Sequence, residues 1–547
     1  MAPSKPLKHP PTLAAVPSDN WLHEKLIPAL LIALVIVVMW PLLLGDFTSW
    51  DDYRAIVANA WLNPPTLQKV AEFWNPKHPY MDIWIPLTYT LWSAVAAVSY
   101  VSTPDPETGA HLNSWTFHGA NLAVHVVSVL VVYAILKRVT GKSWPAAAGA
   151  ALFAIHPVQI EPVGWISGMK DVLAGCLGLI SVWQYLLFAS NNNCTIVDAR
   201  LGETSAPRSS EMKCAAAAST RSSSALAHYA IATIAFILAM LAKPSAVVVP
   251  LVVFALDRFL SRRPIRSTAL ALLPWFLLVI PIIFEGRIAQ PAPRTQAIAI
   301  GLRPLIAADA LAFYLYKLFF PLRLGIIYDH TPQAALAYHW AYFTWIAPVV
   351  VAAALWIFRR RFSWLIAAVA VFWLAVLPVL GLVPFDFQAY STVADHYLYL
   401  AMLGPALALA MALLNIRKRG AIVAIATILL LLAGRAFIQT WTWRDSISLF
   451  SHAVAVNPHA CGTYNNLAEA YRSKHDYATA LAIFEKGVSL NPDCVPLRIG
   501  YASTLATVDR PQEARQQYGI AAKTATGDDA VLVQRGLAQL DKSTHGR

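Results

Sequence analysis

The chain has 547 residues, of which 57% are hydrophobic and only 13% charged, with 19 Trp and a formal charge of +12. Soluble domains carry roughly 25% charged residues, so this composition excludes an ordinary soluble enzyme and implies a polytopic membrane protein. The positive balance does not indicate a nucleic-acid binder. Its basic residues gather at the ends of apolar runs, as the positive-inside rule requires, rather than along a phosphate-tracking surface.

In chain order, Lys5, Lys8 and Lys25 precede the uncharged stretch Leu26–Leu44, long enough to cross the ~30 Å hydrocarbon core as a helix. It is longer than a signal-peptide core, and Leu44-Gly45-Asp46 offers no small-x-small cleavage site. An uncleaved anchor with a cytoplasmic tail over 1–25 is expected. Further apolar runs lie near 83–102, 116–136, 143–156, 171–189, 226–242, 245–257, 268–284, 304–320, 340–358, 362–383, 397–415 and 420–440. Lys137-Arg138 with Lys142, the arginines 258, 262, 263 and 266, Arg359-Arg360-Arg361 and Arg417-Lys418-Arg419 mark cytoplasmic loops. These clusters all fall inside if 304–320 and one of 83–102 or 116–136 lie in the outer leaflet. Pro79 and Pro86 favour 83–102. The result is an all-α bundle of about eleven spans over 26–440, with a first outer loop at 46–82 and the C-terminus outside.

The Ser/Ala-rich stretch 190–225 reads as a flexible low-complexity loop. From Trp441 onward the pattern changes. Asn457-Pro458 and Asn491-Pro492 repeat at the tetratricopeptide period. Tyr464, Leu467, Ala468, Tyr471, Ala480 and Phe484 stand at that repeat's signature offsets, and Tyr501, Ala502, Leu505, Ala514 and Tyr518 echo them. A tetratricopeptide helical array over 441–540 is predicted on the outer side. The five Cys show no CxxC and no metal-type spacing, so neither a zinc site nor a disulfide framework is expected.

This orientation gathers the ionisable residues on one face, where they are expensive and usually functional. In "SWDDYRAI", Asp51 and Asp52 could bind a cation or act as a general base, or Ser49 or Asp51 could simply cap a loop helix through Ala60. A carboxylate held against an apolar wall becomes a stronger base for a hydroxyl. His118, Asn121 and His125 share one helix face. Interhelical hydrogen bonding is the simpler reading for His125, and His118 stays open. "HPVQIEPVGWISGMKD" packs His156, Glu161, Lys170 and Asp171 between two apolar runs, with Pro and Gly breaking the helix. Such a break is tolerated at membrane depth only when buried in protein or lining a wet cavity. Lys170 and Asp171 could also be a plain ion pair at a helix start. Arg54, Lys77, His78 and Lys243 could meet an anionic substrate group, or could snorkel to the interface.

Several stretches, in this order, resemble a known family: "WDDYRAIVAN", "IPLTYTLW", "FHGANLAVH", "HPVQIEPVGWISGMKDVLAG", "LAKPSAVVVP", "KLFFPLRLGIIYDH", "LPVLGLVPFDFQ…ADHYLYL" and "WRDSISLF" ahead of the repeats. They resemble the transmembrane-and-tetratricopeptide O-mannosyltransferases and their bacterial relatives in the GT-C glycosyltransferase superfamily, over about residues 26–526. The resemblance implies a GT-C membrane module with an extracytoplasmic site and a polyprenyl- or dolichyl-phosphate sugar donor, with mannose as the sugar. By position, Asp51 is the expected catalytic acid and Asp52 its support. His156, Glu161, Lys170 and Asp171 match the second block. Asp395 and Tyr399 match the late block, while Tyr328 and His330 belong to "IIYDH". Where the family usually carries Arg after the late acid, this chain has His396. Arg binds phosphate bidentately and stays charged, whereas His is neutral over much of the physiological range. Lys77, Lys170 or Lys243 would then carry more of the phosphate.

The expected chemistry is inverting transfer to an acceptor hydroxyl, expected to be a protein Ser or Thr presented by the repeat groove. No organic cofactor is implied, and a divalent metal is compatible with the scheme but not required by it. A membrane-anchored scaffold with a catalytically dead bundle is a rival reading, as is a polysaccharide ligase or lipid-linked-sugar transporter. The expected location is the bacterial inner membrane with the repeats in the periplasm, or the endoplasmic reticulum membrane for a eukaryotic chain.

Overall fold

The computed structural model describes residues 21–105, 109–201, 208–289 and 298–545; most of the expected N-terminal tail lies outside these. Among the described residues the chain is helical, with two isolated bridges and no strand. The first half holds α1 (Trp21–Met39), α2 (Leu67–Glu72), α3 (Pro86–Ser99), α4 (Ser114–Thr140), α5 (Ser143–Ile155), α6 (Ile160–Gly164), α7 (Met169–Leu201) and α8 (Arg208–Ala242). Then come α9 (Val249–Leu256), α10 (Ile265–Ala289), α11 (Arg303–Phe319), α12 (Pro332–Ala337), α13 (Ala341–Thr344), α14 (Ile346–Ile357), α15 (Ser363–Ala375), α16 (Leu403–Leu413) and α17 (Arg419–Thr440). The C-terminal region is α18 (Ser446–Val456), α19 (Cys461–Ser473), α20 (Tyr477–Leu490), α21 (Val495–Thr507), α22 (Pro511–Ala521) and α23 (Gly527–His545).

Among the described residues, seven helices are long and apolar enough to cross a membrane: Lys25–Leu44, Ser114–Thr140, Ile166–Ser190, Ser223–Ala242, Pro244–Ser261, Ile265–Ala289 and Arg419–Trp443. Shorter apolar helices at Ser143–Ile155, Ala341–Ile357, Ser363–Ala375 and Leu403–Leu413 fall on the remaining expected spans. The chain is thus an all-α polytopic protein. The runs set aside for the outer leaflet form α3, with 14 residues, and α11, with 17. The stretch read as a loop over 190–225 falls instead on the ends of α7 and α8, with 202–207 outside the described residues. Ala-rich sequence has high helix propensity, which a reading based on low complexity overlooks.

The bundle centre is packed through small residues. A Cβ on Gly404 of α16 would stand 2.3 Å from the Ala368 carbonyl oxygen of α15. Only glycine lets these backbones approach so closely, the usual device for helix association in lipid. Outward faces behave oppositely: on α10, Leu270, Leu273, Leu277, Ile280, Ile283 and Phe284 are all exposed, an apolar surface suited to lipid.

In the C-terminal region α19 packs on α20 and α21 on α22, each pair joined by a short turn, as helical hairpins. The repeat signature residues Tyr464, Leu467, Ala468, Ala480, Phe484, Ala502, Leu505, Ala514 and Tyr518 are all buried. Contrary to the expectation drawn from cysteine spacing, Cys461 and Cys494 form a disulfide. They lie 33 residues apart, close to one repeat period, with Cα atoms 6.3 Å apart. Stacking of repeats brings them together, and local spacing does not reveal it.

Helix α18 is part of the membrane bundle's own core. Leu449, Phe450 and Ala453 pack with residues of α1, α5 and α7 in one cluster. Asp46 N–H donates to the Arg444 carbonyl at 2.8 Å, Ser49 N–H to Ser446 Oγ at 2.9 Å, and Asn457 Nδ2 to the Tyr328 carbonyl at 3.0 Å.

Candidate functional site

One end of the bundle collects the loop after α1, the break between α5 and α7, the start of the α8–α9 connection, the chain after α11, and the turn before α16. The break at 156–168 follows from its sequence. His156 caps the turn starting at Pro157, its Nδ1 accepting from Val158 N–H at 3.4 Å, while its Nε2 meets the Leu318 carbonyl at 3.1 Å. Gly168 is needed because a Cβ there would lie 2.5 Å from the Pro162 carbonyl. Asn121 of α4 holds the break, donating from Nδ2 to the Trp165 carbonyl at 2.8 Å and the Val163 carbonyl at 3.2 Å. His118 is buried one turn away, beside Gly45.

The two neighbouring carboxylates differ completely in setting. Asp52 is fully buried. Its Oδ2 accepts from Thr48 N–H (3.0 Å) and Thr48 Oγ1 (2.8 Å), and its Oδ1 from Ser167 N–H (2.8 Å) and Ser167 Oγ (2.6 Å). It therefore pins the first loop to the α6–α7 break. Burial raises its carboxyl above the usual range, against the pull of these hydrogen bonds. The helix expected through Ala60 is a single turn at Tyr53–Val57 with no side-chain cap, so the capping role is not realised there.

Asp51 is only half-buried. Lys170 itself donates to the Ser167 carbonyl at 2.9 Å and lies 3.9 Å from the centre of the Trp165 ring. Lys170 and Asp171 are not paired with each other by a direct bond; Asp171 takes an ion pair from Lys243 through Oδ1. Lys243 Nζ stands 5.3 Å from the Tyr397 ring centre.

The network continues inward. His396 Nδ1 and Glu161 Oε1 are 2.5 Å apart, and the His396 ring lies 5.5 Å from Trp165. Burial, reinforced by Asp395 and Asp171, pushes the Glu161 carboxyl well up. Burial holds His396 down to about 3, with Asp171 opposing and Lys243 and Lys170 assisting. The pair is thus held on the neutral side, since low polarity penalises charge. Tyr328 Oη donates to Asp395 Oδ2 at 2.8 Å. Burial raises Asp395 to about 6 despite Lys317, Tyr328 and Arg435 nearby. Asp395 Oδ1 has no hydrogen-bond partner among the described residues. A small cleft lies between this carboxylate, Glu161, Gln439, Thr442 and His452 of α18.

The structure thus joins Lys170, Asp171, Lys243, Glu161, His396, Asp395 and Tyr328 into one buried polar seam through Trp165 and Tyr397, with Asp51 half-buried on the first loop. Other expected members stand apart. Arg54, Lys77 and His78 remain exposed on the first loop. Tyr399 is in the core, its hydroxyl 2.9 Å from His125 Nδ1, while His125 Nε2 meets the Ala154 carbonyl at 3.1 Å. His330 pairs with Asp309 and stacks on Trp340 in a separate cluster on α11.

Sequence reasoning missed Ser167, Thr48, Tyr397, Lys317 and Arg435. The last two had a usable signal, because each is a lone cation inside an apolar run. Ser167 and Thr48 had none. Among the described residues, no group of three or more His, Cys, Asp or Glu stands together as a metal-holding cluster.

These features define an all-α polytopic protein with its ionisable residues gathered at one bundle end, against a helical C-terminal region. No known family model matches the chain. Over 148 residues, 26% of this chain, it is 30% identical to "Protein O-mannosyl-transferase Tmtc2" of Drosophila melanogaster, covering 15% of that protein. It is 29% identical over 150 residues to "Protein O-mannosyl-transferase Tmtc3" of the same organism, covering 16% of it. Over 75 residues, 14% of the chain, it is 36% identical to human "Protein O-mannosyl-transferase TMTC1", covering 8% of that protein. The chain is thus similar, over about a quarter of its length, to the protein family its motifs resemble, and the matches span under a fifth of those relatives.

Proposed function

We propose that the chain is a membrane glycosyltransferase that moves a sugar, mannose by analogy with the names of its relatives, from a polyprenyl-phosphate donor to a hydroxyl of a protein acceptor. The observation that carries this reading is the buried seam in which the Lys243–Asp171 pair, Lys170, the Glu161–His396 pair and Asp395 gather at one bundle end, beside the loop that carries the half-buried Asp51. A hydroxyl acceptor needs a base, and a lipid phosphate needs cations. The seam supplies the cations, and Asp51 on the first loop is the base in this reading.

In this scheme the acceptor oxygen attacks the anomeric carbon from the side opposite the phosphate. The new carbon–oxygen bond forms as the bond to the phosphate oxygen breaks, inverting the centre. The hydroxyl proton passes to an Asp51 carboxylate oxygen, and the electron pair leaves with polyprenyl phosphate. Lys170 and Lys243 stabilise the developing phosphate charge, so no acid on the leaving group is needed. Asp52 supports the base by fixing the loop that carries it. The neutral Glu161–His396 pair replaces the permanent Arg charge of the family pattern, which leaves phosphate binding to the lysines. The helical hairpins present the acceptor on the extracytoplasmic side, in the bacterial inner membrane or the endoplasmic reticulum membrane.

The test uses purified protein, a radiolabelled polyprenyl-phosphate sugar and an acceptor-protein mixture. The wild-type chain should yield glycosylated protein and free lipid phosphate, and Asp51→Asn should yield neither. Undiminished turnover by Asp51→Asn would remove Asp51 from the mechanism. Absence of product from the wild-type chain, with partner capture by the hairpins intact, would favour a non-catalytic scaffold.

A further inference from the structure

Two asparagines occupy the same place one repeat apart. Asn457 follows α18 and Asn491 follows α20, each ahead of a proline, which keeps the residue before it extended. Their backbones match, at φ −133°, ψ 88° and φ −133°, ψ 69°. Each main-chain N–H closes its own helix at 2.9 Å, onto the Ala453 and Gly487 carbonyls. The side chains then diverge. Asn491 Nδ2 turns back to the Gly487 carbonyl at 3.3 Å, whereas Asn457 Nδ2 crosses to the Tyr328 carbonyl at 3.0 Å. With the local conformation alike, the difference comes from the membrane-bundle loop that Asn457 faces.

That loop is gripped at two points. His452 Nε2 donates to the Leu324 carbonyl at 2.8 Å, so α18 and the residue after it hold both ends of the segment 324–328. The Tyr328 side chain carries the grip onward: its Oη accepts from Gly325 N–H at 3.1 Å and donates to Asp395 Oδ2 at 2.8 Å. Asp395 opens the turn Asp395–Leu398, and the next two residues hold the seam together. His396 meets Glu161, and the Tyr397 ring lies 5.3 Å from the Lys243 ammonium.

We propose that Asn457 is a positioning residue for the seam. Through Tyr328 it sets the turn Asp395–Leu398, which makes the C-terminal hairpins part of the site's framework rather than an arm attached to it. A shift of the hairpins is then felt at His396 and Tyr397. What the seam does rests on the transferase reading; the hydrogen bonds that make the linkage do not.

Asn457→Asp isolates the contact. It keeps the acceptor that Oδ1 offers His459 N–H at 3.4 Å and removes only the donor to Tyr328. In the full-length protein in nanodiscs, hydrogen–deuterium exchange over 394–399 should quicken about fivefold, the factor one side-chain hydrogen bond is worth. Sugar transfer should fall by a similar factor. Asn491→Asp, whose side chain stays on its own helix, should change neither. Tyr328→Phe cuts the path at its other end, so combining it with Asn457→Asp should lose no more than Tyr328→Phe alone. His452→Leu loosens the same segment independently if exchange over 461–507 shows that Asn457→Asp has unfolded the hairpins. Unchanged exchange over 394–399 in both Asn457→Asp and His452→Leu, additive losses in the double variant, or an equal response to Asn491→Asp would each overturn the proposal. Exchange needs no turnover, so a chain that passes the change to 394–399 yet transfers no sugar keeps the linkage and loses the transferase reading. Transfer by the wild-type chain with no change passed to 394–399 does the reverse.

Discussion

Glu161 and His396, 235 positions apart in the chain, lie 2.5 Å from each other in the buried end of the bundle. Their pairing ties the α5–α7 break to the turn before α16 and places Asp395 and Asp171 on either side. The pair carries no permanent charge, so the fixed cations of the seam are the lysines flanking it. That arrangement governs what each substitution should do.

Asp51→Asn should abolish sugar transfer with little change in expression or thermal unfolding, because Asp51 is half-buried and a loop residue. Donor binding, followed by retention of labelled lipid-phosphate sugar on immobilised protein, should persist. A large drop in thermal midpoint would make Asp51 structural instead.

Asp52 should behave in the opposite way. Asp52→Ala strands four donors of Thr48 and Ser167, at a cost of roughly 3 kcal/mol. Ser167→Ala, which removes one donor and leaves the rest paired, should cost only about 1 kcal/mol. Thermal unfolding in detergent reads both, and equal midpoints for wild type and Asp52→Ala would contradict the pinning role.

Lys243→Met leaves the Asp171 carboxylate buried and uncompensated, which costs about 3–5 kcal/mol. The double change Lys243→Met with Asp171→Leu removes the orphan charge and should recover most of that loss. Transfer activity should stay low in the double variant, since the phosphate would still lack Lys243. Full recovery of both would show that the pair is structural alone.

Asp395 sets a pH dependence. Its carboxyl, ordinarily near 3.8, is pushed up to about 6 by burial, so the folded state holds a proton that the unfolded chain has already lost. The penalty for ionising it is absent below about pH 4, grows as pH rises, and is complete above about pH 6. His396 acts with the opposite sign, its folded value of about 3 lying below the ordinary 6.5, so it destabilises the fold as pH falls through that window. Asp395→Asn isolates the first effect. Relative to wild type, its thermal midpoint should climb between pH 4 and pH 6 and then level off; a flat difference would refute the assignment.

The Cys461–Cys494 pair reports sidedness. Disulfides persist in the periplasm or endoplasmic reticulum lumen and are rare in the cytosol. In intact cells treated with a membrane-permeant maleimide polymer, both cysteines should resist modification until a reductant is added. Reactive thiols without reductant would place the hairpins on the cytoplasmic side and end the extracytoplasmic reading.

Much of the architecture was legible in the sequence because its signals are local. Hydropathy and length mark a span wherever an apolar run exceeds the bilayer thickness, and the period of Tyr464, Ala468, Ala480 and Phe484 marks the hairpins. The break at His156–Gly168 announced itself through Pro and Gly. What the sequence alone determined, then, is the helical, membrane-embedded character of the chain and the short segments able to carry charge.

Only the tertiary structure decided which charges meet. Adjacent Asp51 and Asp52 look alike in sequence, yet Ser167, over a hundred residues on, binds one and leaves the other accessible. Asp171 finds its partner in Lys243 rather than in its neighbour Lys170, and Tyr397 rather than Tyr399 joins the seam. The reason is physical: a charge inside a bundle is tolerated only beside its partner, and that partner is chosen by helix packing rather than by proximity along the chain.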